Sequence, residues 1–173
     1  MLLAIIFVQN YAKKNEEAER KSMISNELMR YSKMIDYNVN PNTLNYDLRY
    51  QRLELQLDPA QQYVSGTVTS HFIPNQNMAS IYFDLSNTLT VSEVKYHGYN
   101  LPFTQLATKE VKIDFPAGIP AATLDSLSIK YSGAPDTGGS AGDAFTISTQ
   151  SGVPALYTLS EPYVAQEWFP TKQ

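Results

Sequence analysis

The sequence contains no cysteine, which excludes disulfide bridges, thiolate metal sites and cysteine nucleophiles. It has two histidines, His71 and His97. A zinc site usually needs three protein ligands, so this chain would have to combine both histidines with a carboxylate. Because each histidine lies in a separate strand-like segment without ligand spacing around it, we predict that the chain holds no metal. We also expect the chain to have no cofactor and no catalytic residue of its own.

Charged residues are also scarce, at 17% of the chain, and the net charge is -4. This composition excludes a basic nucleic-acid footprint and a polybasic membrane patch. The longest apolar run, at residues 1–8, is too short to span a bilayer and resembles the core of a signal peptide, although a positive start is missing. We therefore expect residues 1–12 to be a signal-peptide remnant, with a short buried segment as the alternative, and the protein to be extracytoplasmic (periplasmic or secreted).

Residues 13–44 are predicted to form an N-terminal helix and a linker. Ile24, Leu28, Tyr31 and Ile35 follow helical spacing, which favours an arm that lays an apolar stripe on its own domain or on a neighbouring one. Pro41 then interrupts the pattern and indicates a linker up to Asn45.

From residue 45 onwards the apolar period changes to two, and short strand-like segments alternate with turn residues. The segments that predict strands are Leu53 to Leu57, Val64 to Phe72, Ile81 to Leu85, Leu89 to Tyr96, Val111 to Phe115, Leu127 to Tyr131, Phe145 to Ser148 and Ala155 to Thr158. Without helical patterns between them, these strands predict an all-β domain, an antiparallel β-sandwich or open barrel, preceded by one N-terminal helix.

Familiar catalytic motifs are incomplete in this sequence. Asp136-Thr137-Gly138 occurs once, whereas an aspartic protease needs two such loops to pair its carboxylates. No H-E-x-x-H zinc motif and no G-x-S-x-G nucleophile elbow is present. These observations leave the C-terminal stretch as the candidate site.

The C-terminal stretch combines the single tryptophan, Trp168, with two glutamates and two prolines. Glu161 precedes a proline and therefore has extended or turn backbone just after a strand. Its carboxylate, flanked by Tyr163 and Trp168, is able to meet a cationic ligand at the edge of a cleft. An ordinary solvated loop glutamate is the alternative that the residues themselves leave open.

Thr158, Glu161, Ala165 and Phe169-Pro170 lie in register with the end of the N-terminal domain of aminopeptidase N-like zinc metallopeptidases, the gluzincin aminopeptidases, and the stretch resembles secreted bacterial members. The segments 46–58 and 64–68 are similar to the opening hairpin of that family. The resemblance covers residues 45–173. It implies a saddle-like β domain that packs on a zinc-containing catalytic domain absent from this sequence.

In this family the Gln or Glu at the position of Glu161 helps to bind the free α-amino group of the peptide substrate. The resemblance therefore implies a non-catalytic, substrate-binding Glu161, with zinc expected in the full-length protein. The sequence departs from the family at Thr171, where Cys is usual, and at Gln166, where Arg is common, and it stops where an Asp would follow.

A second hypothesis fits the composition equally well: a free-standing secreted β-sandwich that binds glycan or protein. Such a module would use exposed aromatic side chains, for which Tyr96, Tyr99 and Tyr163 are the candidates.

Overall fold

The computed structural model describes residues 40–135, 144–160 and 163–172, together with residues 17, 20, 21, 24 and 25. The chain divides into two compact units, Met1–Tyr37 and Asn38–Gln173. The five described residues of the first unit are helical, whereas the rest of the predicted helix and residues 1–12 lie outside the described residues. Within the described part of the chain, no helix has the length and apolarity needed to cross a membrane.

The second unit is built from antiparallel strands, as the change of period predicts. Their bounds are β1 (Tyr46–Leu57), β2 (Val64–Pro74), β3 (Met78–Asp84), β4 (Leu89–Tyr96), β5 (Tyr99–Asn100), β6 (Phe103–Leu106), β7 (Glu110–Ile119), β8 (Asp125–Gly133), β9 (Phe145–Gln150) and β10 (Val153–Thr158). All eight predicted strands are confirmed, and so is the all-β class.

Two sheets and a hairpin make up the unit. One sheet has the order β1-β2-β8-β4-β5, a second has the order β3-β7-β6, and β9 pairs with β10. Along β2 the side chains alternate, so that Val64, Val68 and Phe72 are buried while Ser65 and Thr67 are half-buried on the opposite face. The inner residues of both sheets form one apolar core, which is the arrangement of an open sandwich.

Tyr46 occupies the centre of that core with no exposed surface. Its ring lies 5.9 Å from the ring of Phe72 in the first sheet and 5.8 Å from the ring of Phe83 in the second. Its hydroxyl donates a hydrogen bond to the backbone oxygen of Tyr82 at 2.7 Å, because a buried phenol needs a partner. Tyr46 therefore joins the two sheets through both its ring and its hydroxyl.

Three features of the strands differ from the prediction. The short strands β5 and β6 were not predicted, because they lack the clear alternation that marks the other strands. β7 also continues through Pro116–Gly118, beyond the predicted strand end at Phe115. A shift in the β3–β7 register places Ser80 opposite Asp114 and Met78 opposite Ile119, so the proline falls in a bulge where its missing N–H breaks no ladder bond.

The segment before β1 packs on the β unit. Pro41–Thr43 forms a 3-10 turn, and the Asn40 side-chain amide donates to Asp84 at 2.7 Å and to Glu110 at 2.8 Å. The Asn42 amide also donates to Glu110 at 2.8 Å. Burial raises the pKa of Glu110, but the hydrogen bonds from Asn42, Thr108 and Asn40 outweigh it and lower the pKa below its ordinary value.

Candidate functional site

The candidate site lies in residues 159–172, here called the C-terminal segment. Glu161, the predicted substrate-binding residue, and Pro162 lie outside the described residues. The described residues on either side fix where the chain enters and leaves this position. Thr158 ends β10 on one side, and Tyr163 and Val164 form a turn on the other.

On the upstream side, the β9–β10 hairpin leads into the segment. One face of this hairpin carries Phe145, Ile147 and Leu156, which pack against the core of the sandwich. Directly after β10, the backbone N–H of Leu159 donates to the oxygen of Ala144 at 2.9 Å. The hairpin is therefore held to the core up to two residues before Glu161.

On the downstream side, a 3-10 turn at Ala165–Glu167 is followed by two packed aromatic side chains. Trp168 and Phe169 are buried, and their rings meet edge to face at 4.5 Å. Val164 is buried in the same core. Burial of three large apolar side chains within six residues fixes this part of the segment on the sandwich.

Backbone hydrogen bonds connect the C-terminal segment to the second sheet. Asp84, at the end of β3, exchanges two backbone bonds with Thr171, at 2.7 Å and 3.1 Å. Two residues after Asp84, the backbone N–H of Ser86 donates to the backbone oxygen of Gln166 at 2.9 Å. The segment therefore continues the edge of the β3 sheet for a short distance.

Side chains of the first sheet hold the segment from the opposite side. The Tyr131 hydroxyl donates to the backbone oxygen of Trp168 at 2.9 Å. The Gln51 amide donates to the oxygen of Pro170 at 3.1 Å and accepts from the Thr171 hydroxyl at 3.0 Å. No local sequence pattern marks these contacts, because Tyr131 is 37 residues from Trp168 and Gln51 is 119 residues from Pro170 along the chain.

The C-terminal segment also contains buried or partly buried charged groups. The Lys109 ammonium lies 3.3 Å from Oε1 of Glu167, whose side chain is buried. Among the described residues, Oε2 of Glu167 and the indole nitrogen of Trp168 are buried without a hydrogen-bond partner. At the end of the segment, Lys172 donates to the oxygen of Tyr46 at 2.6 Å, and burial lowers its pKa although Asp47 and Asp84 oppose this shift.

Tyr163, the first described residue after Glu161, has an unusual backbone. Its φ of 60° is in the left-handed region, which a non-glycine residue seldom adopts, and its side chain is 41% exposed. Departures of this kind persist where the surrounding structure imposes them, and they cluster at functional sites. The strained backbone of Tyr163 lies two residues after Glu161, the candidate substrate-binding residue.

The two histidines have separate contacts. His71 lies on β2 with its ring 5.5 Å from that of Tyr50, whereas His97 lies in the turn after β4 and contacts Asp125 through Nε2 at 2.7 Å. The expectation of strand positions is thus right for His71 and wrong for His97. In the described part of the chain, no three His, Cys, Asp or Glu side chains come together as metal ligands.

Two of the three tyrosines proposed for glycan or protein binding are exposed. Tyr99 is 78% exposed, and Tyr163 is 41% exposed. Tyr96 is engaged inside the domain, because its hydroxyl bonds to Asp125 at 2.5 Å and its ring lies between His97 and Phe115. Burial and the Asp125 carboxylate together raise the pKa of Tyr96 to about 12. The loop with Asp136-Thr137-Gly138 lies outside the described residues.

No protein-family model matches the chain, and no curated protein matches its sequence. Solved structures do share its fold, and they include M1 zinc metallopeptidases and an LTA4 hydrolase.

The M1 zinc metallopeptidase from Deinococcus radiodurans superposes with a TM-score of 0.61 and 23% identity, over 75% of this chain and 29% of that chain. A mutant of the same enzyme bound to a Tyr-Ser-Ala substrate gives a TM-score of 0.62 at 22% identity. Native yeast LTA4 hydrolase gives 0.60 at 18% identity, over 79% of this chain and 23% of that chain. The chain therefore has the fold of a part of these enzymes and spans less than a third of their length.

Proposed function

We propose that this chain is the non-catalytic N-terminal β domain of a zinc-dependent aminopeptidase, and that residues 45–173 form that domain. It packs on a catalytic domain and contributes Glu161 to the recognition of the free α-amino group of a peptide. The observation that carries the proposal is the likeness of the fold to part of the M1 zinc metallopeptidases.

The sequence motif around Glu161 supports the same function independently. Thr158 and Ala165 of that motif lie at the end of β10 and at the start of the 3-10 turn, and Phe169-Pro170 lie in the anchored part of the segment. A carboxylate is suited to selecting an ammonium group, because the two ions form charge-assisted hydrogen bonds.

Zinc belongs to a different part of the proposed enzyme. The described residues gather no set of three ligands that would fit the metal. We propose that an H-E-x-x-H motif and a further glutamate in additional polypeptide would hold the zinc, which would supply Lewis-acid chemistry for peptide hydrolysis. The residues of this chain contribute substrate binding.

Substitution of Glu161 by Gln in the full-length protein tests this role. The change removes the negative charge that we propose for the substrate ammonium while preserving the size of the side chain. We expect KM for a peptide with a free amino terminus to rise at least about tenfold, because a hydrogen bond to a charged group contributes roughly 1.5–3 kcal/mol. The zinc content, measured by atomic absorption, should stay at the wild-type value.

Glu93→Gln is a matched control, since Glu93 lies on the outer face of the first sheet in a surface ion pair with Lys95. This control should keep the wild-type KM. Because family members carry either Gln or Glu here, Glu161→Ala is measured beside E161Q. If both variants leave KM unchanged, or if either removes the zinc, Glu161 does not have the proposed role.

A further inference from the structure

The outer face of the first sheet carries polar side chains in two rows across three strands, β1, β2 and β8. In one row, Glu54 of β1 pairs with Thr67 of β2, which pairs with Lys130 of β8. In the next row, Gln56 pairs with Ser65, which pairs with Ser132. The strand register thus places short hydroxyl side chains in the centre of the face and longer side chains beside them.

A groove of about 360 Å³ runs along these rows. Its floor includes Ser65, Thr67 and Ser132, and Glu54 and Gln56 stand along one side. Tyr63 closes one end, with 46% of its surface exposed, just before the first residue of β2. The volume falls within the usual range for small-ligand sites.

The residues that line the groove carry one charge of each sign, on Glu54 and Lys130, so their formal charges cancel. Beside the groove, the Arg52 guanidinium lies 3.0 Å from the Glu54 carboxylate. The neighbouring Glu93 is paired with Lys95 at 2.9 Å. A site that selects an ion carries an excess of the opposite charge, so this balance favours a neutral ligand.

The remaining lining groups indicate what kind of neutral ligand fits. Hydroxyl, carboxamide and carboxylate side chains offer closely spaced hydrogen-bond donors and acceptors, which suit a molecule rich in hydroxyl groups. The Tyr63 ring offers an apolar face with a polar end, on which the C–H face of a sugar ring packs. A peptide with large apolar side chains would need apolar pockets, and the residues that line this groove form none.

A second hollow, of about 490 Å³, lies beside the β3–β7 bulge and has a different lining. Met78, Ala79, Ala117, Ile119 and Pro120 surround it, so it offers few polar groups to orient a ligand. The groove on the outer face therefore has the stronger features of a binding site.

We propose that the groove at Tyr63 binds a neutral oligosaccharide, with Tyr63 as the stacking platform and Glu54, Gln56 and Lys130 as hydrogen-bonding groups. This inference is independent of the proposed aminopeptidase function. It also differs from the hypothesis drawn from the sequence alone, in which Tyr96, Tyr99 and Tyr163 are the candidates for glycan binding.

Backbone amide NMR of the full 173-residue chain tests the proposal. Maltohexaose, cellohexaose, xylohexaose and mannohexaose are titrated separately, and an uncharged Gly-Ser hexapeptide serves as the peptide probe. At least one sugar should shift the amides of residues 63–67 and 130–132. Tyr63→Ala should weaken its binding by at least about fivefold, the value of one lost aromatic contact.

Tyr99→Ala is the matched control, because Tyr99 is an exposed tyrosine in β5 and does not line the groove. It should leave the sugar affinity unchanged. The proposal is overturned if none of the four sugars shifts the groove amides, if Tyr99→Ala weakens binding as much as Tyr63→Ala, or if the peptide probe binds this groove and the sugars do not.

Discussion

At the scale of single residues, hydrogen bonds to carboxylates decide how the β unit responds to pH. Asp125 accepts hydrogen bonds from Tyr96, the backbone N–H of Ser126 and His97, and Glu110 accepts them from Asn40, Asn42 and Thr108. Burial raises the pKa of both carboxyl groups, but these hydrogen bonds outweigh it and lower both values. Both groups therefore favour the folded state in their ionised form.

The sign of the pH effect follows from the lowered pKa. Above the ordinary value of 4.5, Glu110 is ionised in the folded and unfolded states, and its full contribution to stability is present. As the pH falls below that value, the unfolded chain takes up the proton first, and the contribution is lost as the pH falls through the folded-state pKa.

Glu110→Gln should therefore reduce the free energy of unfolding at neutral pH. It should also make that free energy fall less steeply as the pH becomes acidic. We expect the difference in the free energy of unfolding between wild type and variant to shrink as the pH falls below 4.5 and through the lowered folded-state pKa of Glu110. Urea unfolding at a series of pH values measures this difference. A gap that stays constant over the whole range would show that Glu110 does not supply the proton linkage.

At the scale of elements, the C-terminal segment is held by two sheets at once. The segment pairs with the end of β3 through Asp84 and Thr171 and bonds to β1 through Gln51. The threonine at this position departs from the family pattern, in which cysteine is usual. Its hydroxyl provides a hydrogen bond to the Gln51 carboxamide, for which a thiol is a weaker donor.

Thr171→Val should lower the free energy of unfolding by roughly 1–3 kcal/mol, because valine keeps the shape of the side chain and leaves the Gln51 oxygen without its donor. Thermal unfolding followed by circular dichroism measures the loss. Thr90→Val, at an exposed position of β4, is the matched control and should change stability by less than about 0.5 kcal/mol. Equal midpoints for wild type and Thr171→Val would exclude the anchoring role of this hydroxyl.

The elements also show which parts of the fold are encoded locally. The alternation along β2 and β8 predicts both strands, because each buries one face against the core. β5 has two residues and β6 has four, so their periodicity is too short to distinguish them from turns. Pro116 indicates an interruption, whereas the bulge opposite Ala79 accommodates it within β7.

At the scale of the whole molecule, the fold class and the position of the candidate site follow from the sequence, whereas the anchors of the site do not. The alternating strands predict the sandwich, and the motif from Thr158 to Pro170 singles out the C-terminal segment. Lys109, Gln51 and Asp84 reach that segment only after the chain has folded, so no local pattern marks them. The same holds for the groove, whose rows exist only once β1, β2 and β8 are in register.

The likeness to M1 zinc metallopeptidases covers less than a third of their chains, so the proposed activity concerns a larger protein than this domain. The extracytoplasmic location and the role of residues 1–12 stay predictions. N-terminal sequencing of the mature protein, recovered from fractionated cells, would test both.

The selectivity of the full-length protein for a free amino terminus tests the central claim most directly. Two peptides that differ only by N-acetylation are supplied to the zinc-loaded protein, and release of the first residue is followed by chromatography. We predict rapid cleavage of the free peptide and at least about a hundredfold lower kcat/KM for the acetylated one, because acetylation removes the ammonium charge and the hydrogen bonds that it donates. Equal cleavage of both peptides, or of neither, would contradict the assignment of this chain to an aminopeptidase.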